Sequence, residues 1–343
     1  MQYLNVWDYM EPEYPFTIFV GGRGTGKTYS ALRGAYASHE GFILLRRTLE
    51  EMDLAAAFNP FAQLNKDYDW KVIPQKISKK VYGFYNGIEE EGILKPVGAP
   101  VGLIMGLSGI AASRGMGTET AAYNLMIYDE FIPEAHVHEL QEEASALFNA
   151  YETINRNREL DGGEPMRLIC LSNANGMGNP LFQELKIVRK MEKLLMKGSG
   201  CYKDPDRGLA VYLLKPSSEF ERAKRQTAIA RLTQGTKYAA MAYGNEFGYD
   251  DFSRIGSRKL VGAYPWLEVG PAKIWMYKGS GEAYATYARG SFAYSYKEGL
   301  DADRILARRR HGMAFKDMYA SGAILFESLE LKNLLLDFFG LKR

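Results

Sequence analysis

A chain of 343 residues, 46% hydrophobic and 24% charged, suits two modest globular domains and excludes a disordered or low-complexity protein. A formal net charge of +2 names no partner by itself, so local clusters must carry that argument. Two cysteines, Cys170 and Cys201, exclude a disulfide framework and fit a reducing compartment.

The first ten residues lack a basic segment and a long apolar run, so no leader is expected. "FTIFV" (16–20) reads as a buried strand and "KTYSALRGAYAS" (27–38) as the helix after it. "FILLRR" (42–47) is the next strand, and "QKISKKVYGFYNG" (75–87) alternates around turn residues as a hairpin does. "VGLIMGL" (101–107) and "NLMIYDEF" (124–131) are apolar runs of strand length. The most apolar window, 101–113, is too short and too cut by glycine to span a membrane, so a soluble, cytoplasmic protein is expected. Residues 143–158 space Ala144, Leu147, Phe148, Tyr151 and Ile154 as one helix face, and "MRLICLSN" (166–173) is another buried strand. Apolar strands separated by helices predict a wrapped α/β sheet, mainly parallel. Residues 217–247 read as a basic helical connector, 272–296 as an antiparallel meander turning at Gly279–Gly281, and 301–323 and 326–343 as helices. The expected division is 1–216, an α/β nucleotide-binding domain; 217–250, a helical linker; and 251–343, a small α+β domain.

The chemistry starts at Gly21-Gly22-Arg23-Gly24-Thr25-Gly26-Lys27-Thr28. These residues satisfy the phosphate-loop pattern, with a strand before and a helix after. The glycines let backbone N–H groups wrap phosphates at the positive end of a helix. Lys27 is expected on the β- and γ-phosphates of ATP and Thr28 on Mg2+. A second apolar strand ends in Asp129-Glu130, where Asp129 would hold Mg2+ through water and Glu130 would polarise an attacking water. Kinases and small GTPases do not usually place a glutamate there, so the pair points to ATP hydrolysis with mechanical output. The strand 166–173 ends in Asn173, which either senses the γ-phosphate or makes the turn after the strand.

Hydrolysis at a subunit interface needs a cation delivered to the transition state. Arg156, in "NRNR" with Arg158, is the first candidate for a finger acting on a neighbour. Arg114, in a glycine-flanked loop, is the second. Arg23 acts in cis or reaches a neighbouring subunit. Each of the three, read singly, is a surface arginine.

Taken in order, "VGGRGTGKTYS", "IYDEF", "FNAYETINRNRE", "ICLSNA" with Asn179-Pro180, and "RLTQGTKYAAM" resemble the phi29-type bacteriophage DNA packaging ATPases over roughly residues 15–250. The resemblance implies an additional-strand (ASCE) ATPase domain, related to large terminases. A helical linker would join it to a C-terminal domain related to RNase H nucleases. It implies a pentameric ring on the capsid portal that pumps double-stranded DNA into the prohead, with a structural RNA bridging ring and portal. Such a motor works in the cytoplasm of the infected cell and is absent from the mature virion. Carried over by position, Lys27 and Thr28 bind nucleotide, Asp129 and Glu130 serve hydrolysis, and Arg156 is the arginine finger.

Related terminases cut DNA with clustered carboxylates in the C-terminal domain. Here Tyr277 and Lys278 stand where a first-strand aspartate belongs, only Glu282 is near, and Asp301, Asp303 and Asp317 fall on helices. No nuclease activity is expected. Residues 308–312 with Arg304, and 253–259, are basic enough to touch nucleic-acid phosphates, or to form solvated faces and intersubunit salt bridges. Residues 77–80 and Arg46-Arg47 are expected to face a DNA channel. His136 and His138 lack a third metal ligand nearby and read as a polar loop. Two other readings fit the motifs less fully: a conjugation or filamentous-phage assembly pump, and a nucleotide-gated nucleic-acid-binding module with little turnover.

Overall fold

The computed structural model describes residues 3–110, 122–134, 142–197, 200–215, 217–236, 239 and 252–341. They form two compact units, Met1–Gly176 with Lys197–Gly248, and Met177–Met196 with Tyr249–Arg343.

The first unit is built on strands β1 (Phe16–Gly21), β2 (Gly41–Arg46), β3 (Val72–Ser78), β4 (Val81–Glu90), β5 (Ile93–Gly106), β6 (Tyr123–Asp129), β7 (Arg167–Asn173), β8 (Cys201–Asp204) and β9 (Leu209–Leu214). They make one nine-stranded sheet in the order β3-β4-β5-β2-β6-β7-β1-β9-β8. The strands from β5 through β9 in that order run parallel, and β3, β4 and β8 join antiparallel at the flanks. Parallel strands are covered on both faces, which is why β1, β2, β6 and β7 are unbroken apolar runs. The helices are α1 (Lys27–Ala37), α2 (Leu49–Phe58), α3 (Ala62–Tyr68), α4 (Leu107–Ile110) and α5 (Glu143–Asn155). α6 (Pro180–Glu184) and α7 (Val188–Lys197) follow β7 in sequence and belong to the second unit. Phe19, Leu32, Phe42, Phe61, Phe84, Ile127 and Ile169 fill one continuous core under α1 to α3.

The expected strands and the hairpin are present, and two helix expectations are refined. α5 stops at Asn155 because Arg156 turns left-handed at φ 52°. The connector breaks into α8 (Ser218–Arg225) and α9 (Ala228–Leu232) because Thr227 starts a new helix, its hydroxyl accepting from Ala230 N. Ser217 and Thr48 cap α8 and α2 in the same way.

The N-terminal segment closes against α1. Leu4 N donates to Thr25 O at 3.0 Å and Trp7 Nε1 to Ser30 O at 2.9 Å. A side chain at Gly34 would fall inside the Trp7 indole. Alanine is the better helix former by about 1 kcal/mol, yet overpacking costs about 1–3 kcal/mol. Gly34→Ala is therefore expected to lower the melting temperature, and a thermal melt giving a rise would contradict this packing.

The second unit adds β10 (Ala263–Val269), β11 (Ala272–Tyr277), β12 (Ala283–Thr286), β13 (Tyr294–Tyr296) and β14 (Ile324–Phe326), with α10 (Asp301–Ser321) and α11 (Leu329–Phe339). The antiparallel meander β10–β11–β12 runs over 263–286 and not over the expected 272–296. It turns at Gly279 and Gly281, φ 79° and 67°, as expected. β13, at the end of the expected span, pairs with β10 in parallel. The helix expected over 326–343 starts only at Leu329, after Ser328 caps it. β13 and β14 flank it in parallel, giving the order β13-β10-β11-β12-β14. Leu267, Ile274, Phe315, Phe326, Leu335 and Phe338 form its own core.

Candidate phosphate and hydrolysis site

Register brings the functional side chains together. Gly21 lies opposite Asn173, Phe19 opposite Leu171, and Leu171 opposite Asp129. On the other side of β6, Leu45 lies opposite Tyr128, which sets Arg46 level with Asp129. The carboxyl ends of β1, β7, β6 and β2 thus present Gly21, Asn173, Asp129 and Arg46 along one edge. β7 stands between the phosphate-loop strand and the carboxylate strand.

Gly24 and Gly26, at φ 72° and 95°, hold the left-handed turns that aim the loop into α1. Lys27 is 7% exposed, and its ammonium donates to Gly21 O at 3.0 Å, Gly22 O at 2.8 Å and Asn173 Oδ1 at 3.3 Å. Burial pulls its pKa down to about 8, against the raising effect of Asp129 and Glu130. Thr28 Oγ1 donates to the Asp129 carboxylate at 3.1 and 3.2 Å. Burial pushes the Asp129 carboxyl above the usual range, and Arg46 opposes that rise. A hydroxyl and a carboxylate at one point are the hard oxygen donors that suit a small divalent cation.

Glu130 adopts φ 58°, an uncommon conformation for a non-glycine residue and one concentrated at functional sites. Arg46 Nη1 donates to Asp129 Oδ2 at 2.8 Å, and its Nη2 pairs with Glu130. Arg23 pairs with Glu134. Asn175 Nδ2 donates to Ile132 O at 2.9 Å and Ile132 N donates to Ser172 Oγ at 3.1 Å, which fixes the chain beyond the carboxylates. A cavity of about 700 Å3 lies over the loop, lined by Tyr3, Arg23 through Tyr29, Asp129, Glu130 and Asn173 among others. A second, of about 480 Å3, shares Thr28, Asp129, Glu130 and Asn173 and is also lined by Arg46 and Arg47.

Arg46 and Arg47 do not face outward, contrary to expectation. Arg46 is held by the two carboxylates. Arg47 is 1% exposed, with Nε and Nη2 each 3.1 Å from Glu143. A charge at a strand end reads as surface until the register sets another strand's carboxylates, or a helix start, beside it.

Arg156 is exposed, and its Nε lies 3.4 Å from Thr153 O. α5 begins beside Arg47 at the carboxyl edge and ends where Asn155 accepts from Met166 N, next to the start of β7. Arg156 therefore sits at the amino edge and does not line the phosphate cavity of its own chain. Arg158 is tied to the start of β6, donating to Tyr123 O at 2.8 Å and Asn124 Oδ1 at 2.7 Å. Arg114, His136 and His138 lie outside the described residues.

In the second unit several of the basic candidates serve the fold. Arg308 donates to Phe338 O at 2.7 Å, Arg258 pairs with Glu282, and Arg254 donates to Tyr319 O. His311 is buried 3.1 Å from the Tyr296 hydroxyl, and burial lowers its pKa. Lys79 in the β3–β4 turn, and Lys259, Arg309 and Arg310, are exposed.

A family model described as Podovirus DNA encapsidation protein (Gp16) matches residues 3–266. The DNA packaging protein of Bacillus phage PZA is 28% identical over 250 residues, 70% of this chain and 64% of that protein. The DNA packaging protein of Bacillus phage phi29 is 28% identical over 239 residues, 66% of this chain and 60% of that protein. The match thus spans less than two thirds of these relatives' own length. The solved Phi-28 gp11 DNA packaging motor shares the fold over 99% of both chains, with a TM-score of 0.58 at 16% identity. The family match contains the phosphate loop, both carboxylates and Asn173, and the chain belongs to the Podovirus DNA encapsidation protein (Gp16) family.

Proposed function

We propose that this protein is an ATP-driven motor that translocates double-stranded genomic DNA into a viral prohead through the portal. The observation that carries the reading is the convergence of Lys27, Thr28, Asp129, Glu130 and Asn173 at one sheet edge, with a strand inserted between loop and carboxylates. Lys27 and the loop amides hold the phosphates of ATP, and Thr28 and Asp129 hold Mg2+. When bound, that cation neutralises charge on the phosphates. Glu130 orients and polarises the attacking water. Asn173, in contact with Lys27, registers the γ-phosphate. Arg23 lines the cavity and acts in cis, with Glu134 as its resting partner. Arg156, exposed at the opposite edge, is the finger for a neighbouring subunit, and Arg114 the second candidate.

The active form is a homo-oligomeric, pentameric ring on the portal, acting in the cytoplasm of the infected cell, with a packaging RNA as a further partner. No helix among the described residues is long and apolar enough to cross a membrane. The C-terminal unit holds nucleic acid rather than cutting it. In support, Glu282 is engaged by Arg258, and Asp303 accepts from Lys297 N at 2.7 Å. Lys259, Arg309 and Arg310 are its available phosphate contacts, sequence-blind and weakened by salt.

The test is packaging in vitro. Proheads, DNA, ATP and wild-type protein are expected to protect DNA from nuclease, and Lys27→Ala to protect none. No protection by wild type, with Lys27→Ala indistinguishable from it, sinks the proposal.

A further inference from the structure

The cavity over the phosphate loop has a second end, lined by Tyr3, Tyr29, Gln63 and Asp67. None of these four belongs to the phosphate and carboxylate chemistry, and the faces of α1 explain how they meet. Ser30 and Gly34 face the N-terminal segment: Val6 N donates to Ser30 Oγ at 3.2 Å, and Gly34 abuts the Trp7 indole. Tyr29 and Arg33, about 100° round the helix, face α3. The Tyr29 hydroxyl donates to Asp67 Oδ2 at 2.7 Å, and Arg33 Nη1 donates to the Tyr68 hydroxyl at 3.3 Å. Tyr3 is held close to the loop, its Cβ 3.1 Å from where a side chain at Gly26 would begin. The N-terminal segment and α3 thus flank the start of α1, and the space between Tyr3 and α3 continues the phosphate site beyond Thr28.

The hydrogen bonds decide what that space can read. Gln63 and Asp67 lie four apart on α3 and share a face, and Gln63 Nε2 donates to Asp67 Oδ1 at 2.8 Å. Each Asp67 oxygen therefore already accepts one bond that fixes its position. Burial, then the bond to Asp67, holds the Tyr29 phenol well above its ordinary pKa, so it remains a neutral donor. What is left at this end is acceptors: the further lone pairs of the carboxylate and the Gln63 amide oxygen. Acceptors suit an amino group and repel an oxo group in the same place. Tyr3 is 54% exposed, its ring at 64° to Phe220 with centroids 6.0 Å apart. An exposed aromatic ring in a cavity wall offers a face on which a base can stack. Acceptors and a flat apolar face at one end suit a base better than a sugar.

We propose that Asp67 selects the base of the nucleotide, accepting from the exocyclic amino group of adenine while Tyr3 stacks on the purine. Tyr29 and Gln63 are positioning residues that act through Asp67. This rests on the nucleotide reading above and names how the site tells one base from another. A purine with oxygen in place of that amino group sets two acceptors against each other and binds more weakly.

The test compares ATP, ITP and dATP on the full chain, by competition against a fluorescent ATP analogue and by steady-state hydrolysis. ITP carries an oxo group where ATP carries the amino group. Wild type is expected to bind ATP about tenfold or more tighter than ITP, the scale of one hydrogen bond to a charged group. The difference is expected in KM and not in kcat, because the base takes no part in the chemical step. Asp67→Asn is expected to weaken ATP by a similar factor and to leave ITP near wild type. Tyr29→Phe is expected to raise the KM for ATP by less, with kcat kept. Tyr3→Leu is expected to weaken ATP and ITP alike, because stacking does not distinguish them. A wild type that treats ATP and ITP equally, or an ATP-to-ITP ratio unchanged in Asp67→Asn, overturns the proposal. Loss of discrimination against dATP alone would place Asp67 on the ribose and overturn it as well. In each of those cases the nucleotide reading stands. Failure of wild type to bind any of the three takes that reading down too.

Discussion

Glu130→Gln is expected to lose ATP hydrolysis by about two to four orders of magnitude while still binding nucleotide, the range that a positioned general base contributes. Glutamine keeps the size of the side chain and one hydrogen-bonding oxygen. It removes the carboxylate that would polarise water. The groups that would hold phosphate and metal are others: Lys27 on the loop carbonyls, and Thr28 against Asp129. They sit on β1, α1 and β6 and do not depend on the Glu130 side chain. Binding and turnover should therefore separate in this variant and fall together in Lys27→Ala.

The resting geometry adds a condition. Arg46 pairs with Glu130 and Asp129 at once. Were Glu130 the base, Arg46 would have to turn away from it before it could polarise water. A nucleotide-binding titration beside steady-state phosphate release checks the prediction. Equal turnover by wild type and Glu130→Gln would favour a nucleotide-gated binding module over a motor.

The large sheet was legible because parallel strands bury both faces. "FTIFV", "FILL", "LMIY" and "LICL" are unbroken apolar runs, and each announces its strand without help from its neighbours. The phosphate loop and Asp129-Glu130 were legible for a related reason: their chemistry is local, a few residues at the carboxyl end of a strand. The role of Arg46 was not. It depends on β2 lying beside β6 in a register that sets Arg46 level with Asp129, and no local pattern carries that register. The same holds for β13 and β14, three residues each, which are strands only because β10 and β12 accept them in parallel. The break between α8 and α9 was written in Ser217 and Thr227, both good helix N-caps, but a window averaged over helical spacing smooths over it.

Arg47→Ala is expected to cost about 3–5 kcal/mol of stability, far more than removal of an exposed arginine. Arg47 and Glu143 are 1% and 4% exposed, joined by two bonds of 3.1 Å. Burial opposes the Arg47 charge, and the hydrogen bond and charge of Glu143 more than offset it. The Tyr128 hydroxyl also donates to Glu143, and burial followed by that carboxylate's charge keeps Tyr128 well above its ordinary pKa and neutral. Alanine would leave a buried carboxylate facing one phenol and no cation. The reverse construction separates the buried charge from the lost packing. Arg47→Met with Glu143→Leu removes both charges at similar volume and is expected to recover most of the loss. Urea midpoints of the two variants decide it: a cost under about 1 kcal/mol for Arg47→Ala would mean the pair behaves as a solvated surface bridge. The consequence reaches the site. Arg47 anchors the end of β2 to the start of α5, and the residue before it is the arginine that holds Asp129 and Glu130. At temperatures where the fold survives, Arg47→Ala should therefore also loosen Arg46 and alter turnover without touching the phosphate loop.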